Sequence, residues 1–434
     1  MTTVPGCQPK MSFQTVNWAF STNIYEVNLR QYTAEGSFTA FSQQLPRLKE
    51  MGVQVIWFMP ITPIAALNRK GTLGSYYACS DYTSINPEFG TLDEFKNLVK
   101  QAQGTGMKVM IDWVANHTGW GHVWTKSHPE FYSKDDRGNF RPPFPDWEDV
   151  IHLNYDNQDL RKAMIDAMKF WVRECDLDGF RCDMAHLVPL DFWIEARTEL
   201  DAIKPLFWLG ETEDVRYHDI FDASYSWELL HTMERYWKHE TTIAGIDAVL
   251  FKYGSSYPKQ ALKLMFTSNH DENSHSGTEY ERMGDAALPF AVLCATWGGI
   301  PLIYNGQELP MKNKRLLFFE KDLIPWTGEC KLQNFYKVLL GLRLSNPALH
   351  SADANVRTYR LETSDNSNVF GYLKKADDRE VLVILNLSAT KRSVSIIGKV
   401  VSGSYKNVFS GSTNEFITGK KIELDPWQYL VFDK

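Results

Sequence analysis

The stretch Gly179-Phe180-Arg181-Cys182-Asp183 says more about the fold of this 434-residue chain than any other. It is a short, strand-like and largely apolar run that ends on a carboxylate. Side chains alternate between the two faces of a strand, so Arg181 and Asp183 are expected on the same face. A guanidinium beside the carboxylate favours its charged form and lowers its pKa. An ordinary ion pair at a strand end is the alternative interpretation.

Three other segments, far apart in the chain, share this design of an apolar run that ends in polar side chains. They are Met110-Ile111-Asp112-Trp113-Val114-Ala115-Asn116-His117, Trp208-Leu209-Gly210-Glu211 and Phe266-Thr267-Ser268-Asn269-His270-Asp271. One aspartate after an apolar strand is usually structural, whereas four such segments in this order are specific. Their order and spacing resemble the four signature segments of the α-amylase family of glycoside hydrolases (family 13). The resemblance extends from about Asn23 to the C-terminus.

Strand-like and helix-like runs alternate along the chain as they do in βα units. Helices are predicted over residues 38–51, where Gly52 is a good C-cap, and over 92–102. Strands are predicted over residues 24–28, 53–58, 108–113, 179–183, 207–211, 220–223, 264–268 and 300–305. The pattern therefore predicts an α/β fold, a (β/α)8 TIM barrel, which the family resemblance also implies.

Two parts of the chain depart from this alternation. Residues 118–155 are rich in His, Pro, Asp and Trp without strong periodicity, and a long irregular insertion in a compact domain is usually functional or disordered. The resemblance identifies this part as a short domain B, inserted after strand 3, which walls one side of the cleft. Residues 348–434 contain short alternating strands between polar turns, and predict a C-terminal antiparallel β-sandwich. The barrel is then expected over 15–117 and 156–347.

The resemblance assigns the catalytic carboxylates. It implies that Asp183 is the nucleophile, Glu211 the acid/base, and Asp271 the group that binds the 2- and 3-hydroxyls of the cleaved sugar. Barrel enzymes carry reactive groups at the C-terminal ends of their strands, so the three should converge on one cleft. Retaining hydrolysis needs two carboxyl groups about 5 Å apart. Apolar surroundings and the charge of Asp183 would raise the pKa of Glu211.

The resemblance also implies the sugar-binding residues. His117 and His270 match positions that hydrogen-bond sugar hydroxyls, although a lone histidine is more often a satisfied structural residue. Arg181 would hold the nucleophile ionised. Tyr77 matches the tyrosine that stacks under the cleaved sugar, with Tyr76 as a competing candidate.

A calcium ligand and an orienting carboxylate follow from the same comparison. Asn116 matches a calcium ligand of many family members, but Asn154 stands where domain B usually supplies an aspartate. Because Ca²⁺ prefers six to eight oxygens, several of them carboxylate, we expect a weak calcium site or none. Asp112 is expected to orient Arg181 or the backbone. The chemistry itself requires no cofactor.

Four further residues have two interpretations each. Glu308, in the segment that matches the eighth strand, is expected to be a structural hydrogen-bond acceptor rather than a fourth catalytic group. His186 stands where many α-amylases carry a Lys-His pair that grips the leaving-side sugar, which leaves that contact open. Trp147 and Trp124 suit either sugar platforms or packing.

Composition limits the partners. A net charge of −7 gives no reason to expect nucleic acid. No run of 18 or more apolar residues occurs, so no membrane span is expected. The six cysteines have no CxxC pair or metal-ligand spacing, which argues against zinc and a disulfide framework and for free thiols. The substrate is therefore the main expected partner, and the protein is expected to be a monomer or weak oligomer.

The N-terminal residues leave localisation open. Residues 1–14 lack the apolar core of a signal peptide, and Val4-Pro5-Gly6-Cys7 resembles a lipoprotein cleavage box only faintly. The sequence therefore does not assign a compartment: a cytoplasmic location and, if an export signal has been removed, a periplasmic or secreted one are both open.

We interpret the chain as a retaining hydrolase of α-1,4-glucosidic bonds in starch or malto-oligosaccharides. A cyclomaltodextrinase or neopullulanase is the first alternative. Those members usually carry an extra N-terminal β domain, for which a first strand at about Asn23 leaves no room. An α-glucosidase or transglycosylase is a second alternative. A non-catalytic glucan-binding barrel, the third, conflicts with the presence of Asp183, Glu211 and Asp271.

Overall fold

A computed structural model describes residues 13–326 and 330–434. Residues 4–7, which faintly resemble a lipoprotein cleavage box, lie outside these ranges. Within them, no helix has both the length and the apolar character needed to cross a bilayer.

The first ten strands build the catalytic domain. They are β1 (Ile24–Val27), β2 (Val55–Phe58), β3 (Lys108–Trp113), β4 (His117–Gly119), β5 (Val150–His152), β6 (Gly179–Cys182), β7 (Phe207–Gly210), β8 (Ala223–Tyr225), β9 (Leu262–Met265) and β10 (Ile300–Tyr304). All but β4 and β5 close into a parallel barrel, in the order β1-β10-β9-β8-β7-β6-β3-β2. The predicted TIM barrel is confirmed, and in this ring β1 lies diametrically opposite β7.

Helices alternate with the barrel strands, as parallel connections require. They are α1 (Leu29–Tyr32), α2 (Phe38–Ser42), α3 (Leu45–Met51), α4 (Leu92–Gly104), α5 (Val123–Ser127), α6 (Gln158–Cys175), α7 (Leu190–Asp201), α8 (Trp227–Trp237), α9 (Ile243–Ser256), α10 (Glu279–Met283), α11 (Ala287–Thr296) and α12 (Gln333–Ser345). Local chemistry fixes their starts. Thr91 and Glu94 form a capping box at α4, and the Asn157 side chain accepts two backbone N–H groups at α6.

The prediction of one helix over residues 38–51 is wrong, because the structure has two helices there. Pro46 has no N–H to donate to the carbonyl of Ser42, so the helix breaks between α2 and α3. Gly52 does cap α3, in the left-handed region at φ +94°.

Two predicted strands are shifted. The strand predicted over residues 220–223 begins only at Ala223, as β8. The residues before it end a helical turn, in which the amide of Phe221 donates to the carbonyl of Tyr217 at 2.8 Å. The strand predicted over residues 264–268 begins two residues earlier, at Leu262, and is β9. Thr267 and Ser268 continue past the ladder towards the strand-end cleft.

The inserted part after β3 contains a β-hairpin. β4 and β5 pair antiparallel, with His117 opposite His152 and Gly119 opposite Val150. The short helix α5 lies between them. The hairpin therefore begins directly at the end of the third barrel strand.

The C-terminal domain is antiparallel, as predicted. Its strands are β11 (Arg357–Leu361), β12 (Val369–Ala376), β13 (Arg379–Asn386), β14 (Arg392–Val394), β15 (Gly403–Asn407), β16 (Thr413–Phe416), β17 (Ile422–Leu424) and β18 (Tyr429–Asp433). Six of them form one sheet in the order β11-β12-β13-β18-β15-β16, and β14 pairs with β17. Side chains of both sheets, such as Leu382 and Leu424, share one apolar cluster.

The cysteines of the described residues are free thiols. Cys79, Cys175, Cys182 and Cys294 are buried, and Cys330 is partly buried. Cys7 lies outside the described ranges.

Candidate active site

The barrel register brings the first carboxylates together. Asp112 in β3 is paired with Arg181 in β6, and the amide of Asp183 donates to the carbonyl of Trp113 at 2.9 Å. One strand further on, the amide of Glu211 donates to the carbonyl of Cys182 at 3.0 Å. The ends of β3, β6 and β7 therefore present their polar side chains on one surface.

Arg181 is the centre of this surface. Its Nη1 lies 3.0 Å from Oδ1 of Asp112 and 2.9 Å from Oδ1 of Asp183. Its Nη2 lies 2.9 Å from Oε2 of Glu211. The guanidinium is fully buried, so these charged partners are what makes its burial tolerable. One cation thus holds two candidate catalytic carboxyl groups within reach of each other.

Aromatic rings surround the guanidinium. Its carbon lies 5.2 Å from the ring centroid of Trp57, 5.8 Å from that of Tyr77 and 5.6 Å from that of Tyr225. The hydroxyl of Tyr225 accepts a hydrogen bond from Nε at 3.0 Å. Ring faces attract a cation and exclude water, which fixes the orientation of Arg181.

Asp183 and Glu211 differ in pKa in the direction that two catalytic roles require. Burial raises the pKa of Asp183 to about 6, with a contribution from Asp112 and against the effect of Arg181. Burial raises the pKa of Glu211 to about 7, and the charges of Asp183 and Asp271 add to it. The Oε2 atom of Glu211 accepts the amide of Met184 at 2.9 Å. Near neutral pH, Glu211 can therefore hold a proton while Asp183 is ionised.

Asp271 stands beside a buried histidine. Its Oδ2 lies 3.2 Å from Nε2 of His270, whose Nδ1 is hydrogen-bonded to Oε1 of Glu26. Burial alone would raise the pKa of Asp271, but His270 outweighs it and lowers that pKa to about 2. Burial would likewise lower the pKa of His270, yet Asp271 and Glu26 raise it well above its usual value. Asp271 and Glu26 thus favour the protonated form of His270, and His270 in turn favours the ionised form of Asp271.

Tyr77 connects the two halves of the site. Its hydroxyl donates to Oδ2 of Asp112 at 3.0 Å and lies 2.7 Å from Nε2 of His270. Its ring stacks on that of His270, with centroids 5.4 Å apart. The competing candidate, Tyr76, is buried beneath Arg30, whose guanidinium lies 4.3 Å from its ring. Of the two, Tyr77 is the one that lines the cavity.

A cavity of about 410 Å³ opens above these groups. It is lined by Asp183, Glu211, Asp271, Tyr77, His117 and His270, with Arg181 beneath its floor. Burial lowers the pKa of His117 to about 3, which keeps that ring neutral and able to donate or accept a hydrogen bond. Tyr77, His117 and His270 therefore line one opening with the three carboxylates, whereas Arg181, also predicted to bind substrate, is fully buried and does not line it.

Asn116 lies outside this lining. Its amide nitrogen is 3.2 Å from Nδ1 of His117, and it is buried. Asn154 is turned to the backbone, where its Oδ1 accepts the amide of Asp156. Residues 13–326 and 330–434 contain no group of three or more His, Cys, Asp or Glu that suits a metal ion. The donor set around Asn116 therefore does not fit the carboxylate-rich coordination that Ca²⁺ prefers.

The structure places each of the four residues that had two interpretations in the sequence. Trp147 lines the cavity, whereas Trp124 packs against Tyr82 with centroids 5.0 Å apart. Glu308 is buried and accepts the hydroxyl of Tyr25 at 2.6 Å, in a structural role. His186 is exposed beside the carbonyl of Glu211, outside the lining.

Sequence analysis missed several residues of this site. Glu26 is a carboxylate within a fully buried strand, and that contrast was a usable signal. Tyr225 and Phe318 gave none, because an aromatic residue in a strand or loop is ordinary. Phe318 lines the cavity and its ring is stacked beside that of Tyr77, at 6.2 Å.

Both the sequence and the fold are similar to those of known proteins. The sequence matches the family described as alpha amylase, catalytic domain, over residues 14–148 and 144–357. It is similar to the structure of a noncanonic maltogenic alpha-amylase, AmyB, from Thermotoga neapolitana. The two share 31% identity and a TM-score of 0.88, over 95% of this chain and 98% of that one. An alpha-amylase from Lactobacillus plantarum shares 30% identity and a TM-score of 0.86, over 96% and 99%.

A curated relative is longer than this chain. Alpha-amylase MalA of Haloarcula japonica is 26% identical over 451 residues, which span 98% of this chain but 65% of the relative.

Proposed function

Since this chain belongs to the α-amylase family of glycoside hydrolases, we propose that it hydrolyses α-1,4-glucosidic bonds with retention of configuration. The single observation that carries the proposal is the shared cation. Asp183 and Glu211 both contact the guanidinium of Arg181, each at 2.9 Å. A retaining mechanism requires a nucleophile and an acid/base about 5 Å apart, and contact with the same guanidinium keeps these two carboxyls near each other.

In the first step, the carboxylate of Asp183 attacks the anomeric carbon of the glucosyl unit. The bond from that carbon to the glycosidic oxygen breaks, and the proton of Glu211 passes to the leaving oxygen. A covalent glycosyl-enzyme forms at Asp183, and the leaving saccharide departs with a new hydroxyl group. Arg181 orients the attacking oxygen throughout.

In the second step, Glu211 acts in the opposite sense. Esterification has removed the negative charge of Asp183, and that charge contributed to the raised pKa of Glu211. The ionised Glu211 takes a proton from water, and the water oxygen attacks the anomeric carbon. The ester bond breaks, which restores Asp183 as a carboxylate and Glu211 as an acid.

The remaining lining residues hold the sugar. Asp271 presents an ionised carboxylate to the cavity and can accept hydrogen bonds from two hydroxyls. The ring of Tyr77 suits stacking against an apolar sugar face. His117, being neutral, can hydrogen-bond a further hydroxyl. Both reacting groups are carboxyls of the chain, so we propose that the chemistry uses no metal or organic cofactor.

Starch-derived malto-oligosaccharides are the substrates that we propose. The similar proteins are named α-amylases or maltogenic α-amylases, and the cavity offers carboxylate, imidazole and aromatic groups that suit a neutral polyhydroxylated ligand.

The test uses maltoheptaose with wild-type protein and the Asp183→Asn variant. Products are separated by size, and their anomeric configuration is followed by NMR. Wild type should release α-configured products, and the variant should lose at least about 1,000-fold in rate, because its nucleophile is neutral. Asp136→Asn, the same change at an exposed turn, is the control and should match wild type. β-Configured products, or no hydrolysis by wild type, would contradict the proposal.

A further inference from the structure

The loop after β2 is bound to the inserted hairpin region at one point. The ammonium group of Lys70 donates to the carbonyl of Asp146 at 2.8 Å and lies 3.4 Å from Oδ1 of Asp149. Asp149 is almost fully buried, so its charge has few other neighbours to compensate it. All three residues line the cavity, so the contact is part of its wall.

The same loop is bound to the loop after β10 at its next residues. The amide of Thr72 donates to Oε1 of Glu320 at 2.9 Å, and the amide of Leu73 donates to the carbonyl of Phe319 at 3.2 Å. Gly71, at φ +63°, allows this approach, because a Cβ there would lie 2.4 Å from Cβ of Phe319. Four consecutive residues therefore join two otherwise separate loops. We call residues 70–73, 146–149 and 318–320 together the rim.

The rim is anchored to residues that follow β1. Nη1 of Arg30 donates to the carbonyl of Gly74 at 3.3 Å, and Nε2 of Gln31 donates to the carbonyl of Leu317 at 2.7 Å. Both Arg30 and Gln31 are fully buried. Support from buried side chains makes the rim a fixed wall rather than a loose flap.

The barrel order tells which end of the substrate meets the rim. The rim loops follow β2, β3 and β10; β2 and β10 are the two neighbours of β1 in the ring, and β3 lies next to β2. Glu211 follows β7, which lies diametrically opposite β1. Under the proposed function, Glu211 protonates the leaving oxygen, so the leaving saccharide lies on its side. The rim therefore faces the other end, which is the non-reducing part of the glucan.

We propose that the rim closes the donor side of the cleft and makes the enzyme act from non-reducing chain ends. This inference rests on the proposed function. The cavity of about 410 Å³ lies near the lower end of the usual range for ligand pockets, about 300–1,000 Å³, and holds about two glucosyl units rather than a passing chain. Phe318 and Phe319 belong to the lining, and in this proposal they form the apolar end wall that a third unit would meet.

The leaving side has different contacts. The hydroxyl of Tyr217 donates to the carbonyls of His186 and Val188, each at 3.1 Å, so the loop after β7 is held against the loop after β6. His186 is exposed there. A long acceptor chain can thus extend from Glu211 into solvent while the donor end is enclosed.

The experiment compares two substrates of equal length. Maltoheptaose with a free non-reducing end is compared with the same saccharide carrying a 4,6-O-ethylidene group at that end. Wild type should cleave the protected substrate at least about 100-fold more slowly, because the blocked end does not fit an enclosed pocket. Its first product from the free substrate should be maltose. Equal rates on both substrates, or a ladder of products from the start, would overturn the inference and leave the proposed function standing. Absence of cleavage of the free substrate would overturn both.

Two variants open the rim from opposite ends. Lys70→Ala removes the contact with the Asp146 carbonyl and Asp149, and Glu320→Ala removes the acceptor for Thr72. Each should raise the ratio of protected to free cleavage at least about tenfold, because the wall is then bound on one side only. Lys96→Ala is the matched control, since it breaks a comparable surface pair with Glu174 at 2.6 Å far from the cavity. A ratio unchanged from wild type in both rim variants would refute the role of the rim.

Discussion

The buried pair of Glu26 and His270 offers the sharpest test of the site electrostatics. Glu26 is fully buried in β1; its Oε1 is bonded to Nδ1 of His270, and its Oε2 lacks a hydrogen-bond partner. Glu26→Gln keeps the volume and an acceptor oxygen but removes the charge. Asp271 and the nearby charge of Asp112 then remain to offset the cost of burial, so the pKa of His270 should fall towards neutrality.

The size of the effect follows from the bond that is weakened. A hydrogen bond to a charged group contributes about 1.5–3 kcal/mol, which corresponds to about a 10- to 150-fold loss in kcat/KM if it is realised in the transition state. The sign of the pH effect is also fixed. Since the variant histidine loses its proton as the pH rises, the deficit should be larger near pH 8 than near pH 6.

The assay measures kcat/KM on maltoheptaose across that pH range, with circular dichroism to verify folding. Glu415→Gln, the same substitution at an exposed position of β16, is the control and should match wild type. A Glu26→Gln enzyme within twofold of wild type at every pH would refute the reasoning. So would a loss of equal size at every pH.

Further predictions follow from the same contacts. The rate should be bell-shaped in pH, falling below about 6 as Asp183 is protonated and above about 7 as Glu211 loses its proton, which a kcat/KM profile measures. Tyr77→Phe removes the hydroxyl contacts with Asp112 and His270 and should lower kcat/KM by about 10- to 100-fold, whereas Tyr76→Phe should stay within about threefold in the same assay. Gly179→Ala places a Cβ 2.3 Å from a backbone carbonyl of β7 and should lower the free energy of unfolding in urea by about 1–3 kcal/mol. Removal of calcium with EDTA should leave the melting temperature and rate unchanged, because the donor set near Asn116 is poor in carboxylates.

Each of these has an outcome that would contradict it. Gly104→Ala is the control for the glycine variant, because no atom lies within 4 Å of its Cβ, and it should not destabilise the protein. A pH profile without a descending alkaline limb would exclude Glu211 as the acid. A melting temperature raised by added Ca²⁺ would show that the Asn116 region does bind the ion.

The strand-end carboxylates were predictable because their positions depend on local sequence and one general rule. The two-residue spacing of Arg181 and Asp183 places both on one strand face, and parallel strands present their C-terminal ends together. The break at Pro46 was equally readable from the missing N–H. In contrast, the start of β8 depends on a helical turn at Tyr217, which could not be recognised because the residues at 220–223 have the apolar pattern of a strand.

Contacts between distant loops were not predictable in this way. Glu26 meets His270 across 244 residues, only because the barrel closes between its first and last strands. Lys70 reaches Asp146 and Asp149 through two loops whose paths no periodicity encodes. The rim and the charge state of His270 are thus properties of tertiary structure, although each residue type was visible in the sequence.

The central claim is that Asp183 forms a covalent bond with the substrate, and trapping tests it directly. Glu211→Gln protein is mixed with α-maltosyl fluoride, whose leaving group needs no acid, so that the first step proceeds while the second lacks its base. Mass spectrometry of the intact protein and its peptides should find one maltosyl group, attached to Asp183. A label on another residue, or fluoride release without any covalent adduct and with inverted product, would contradict the account.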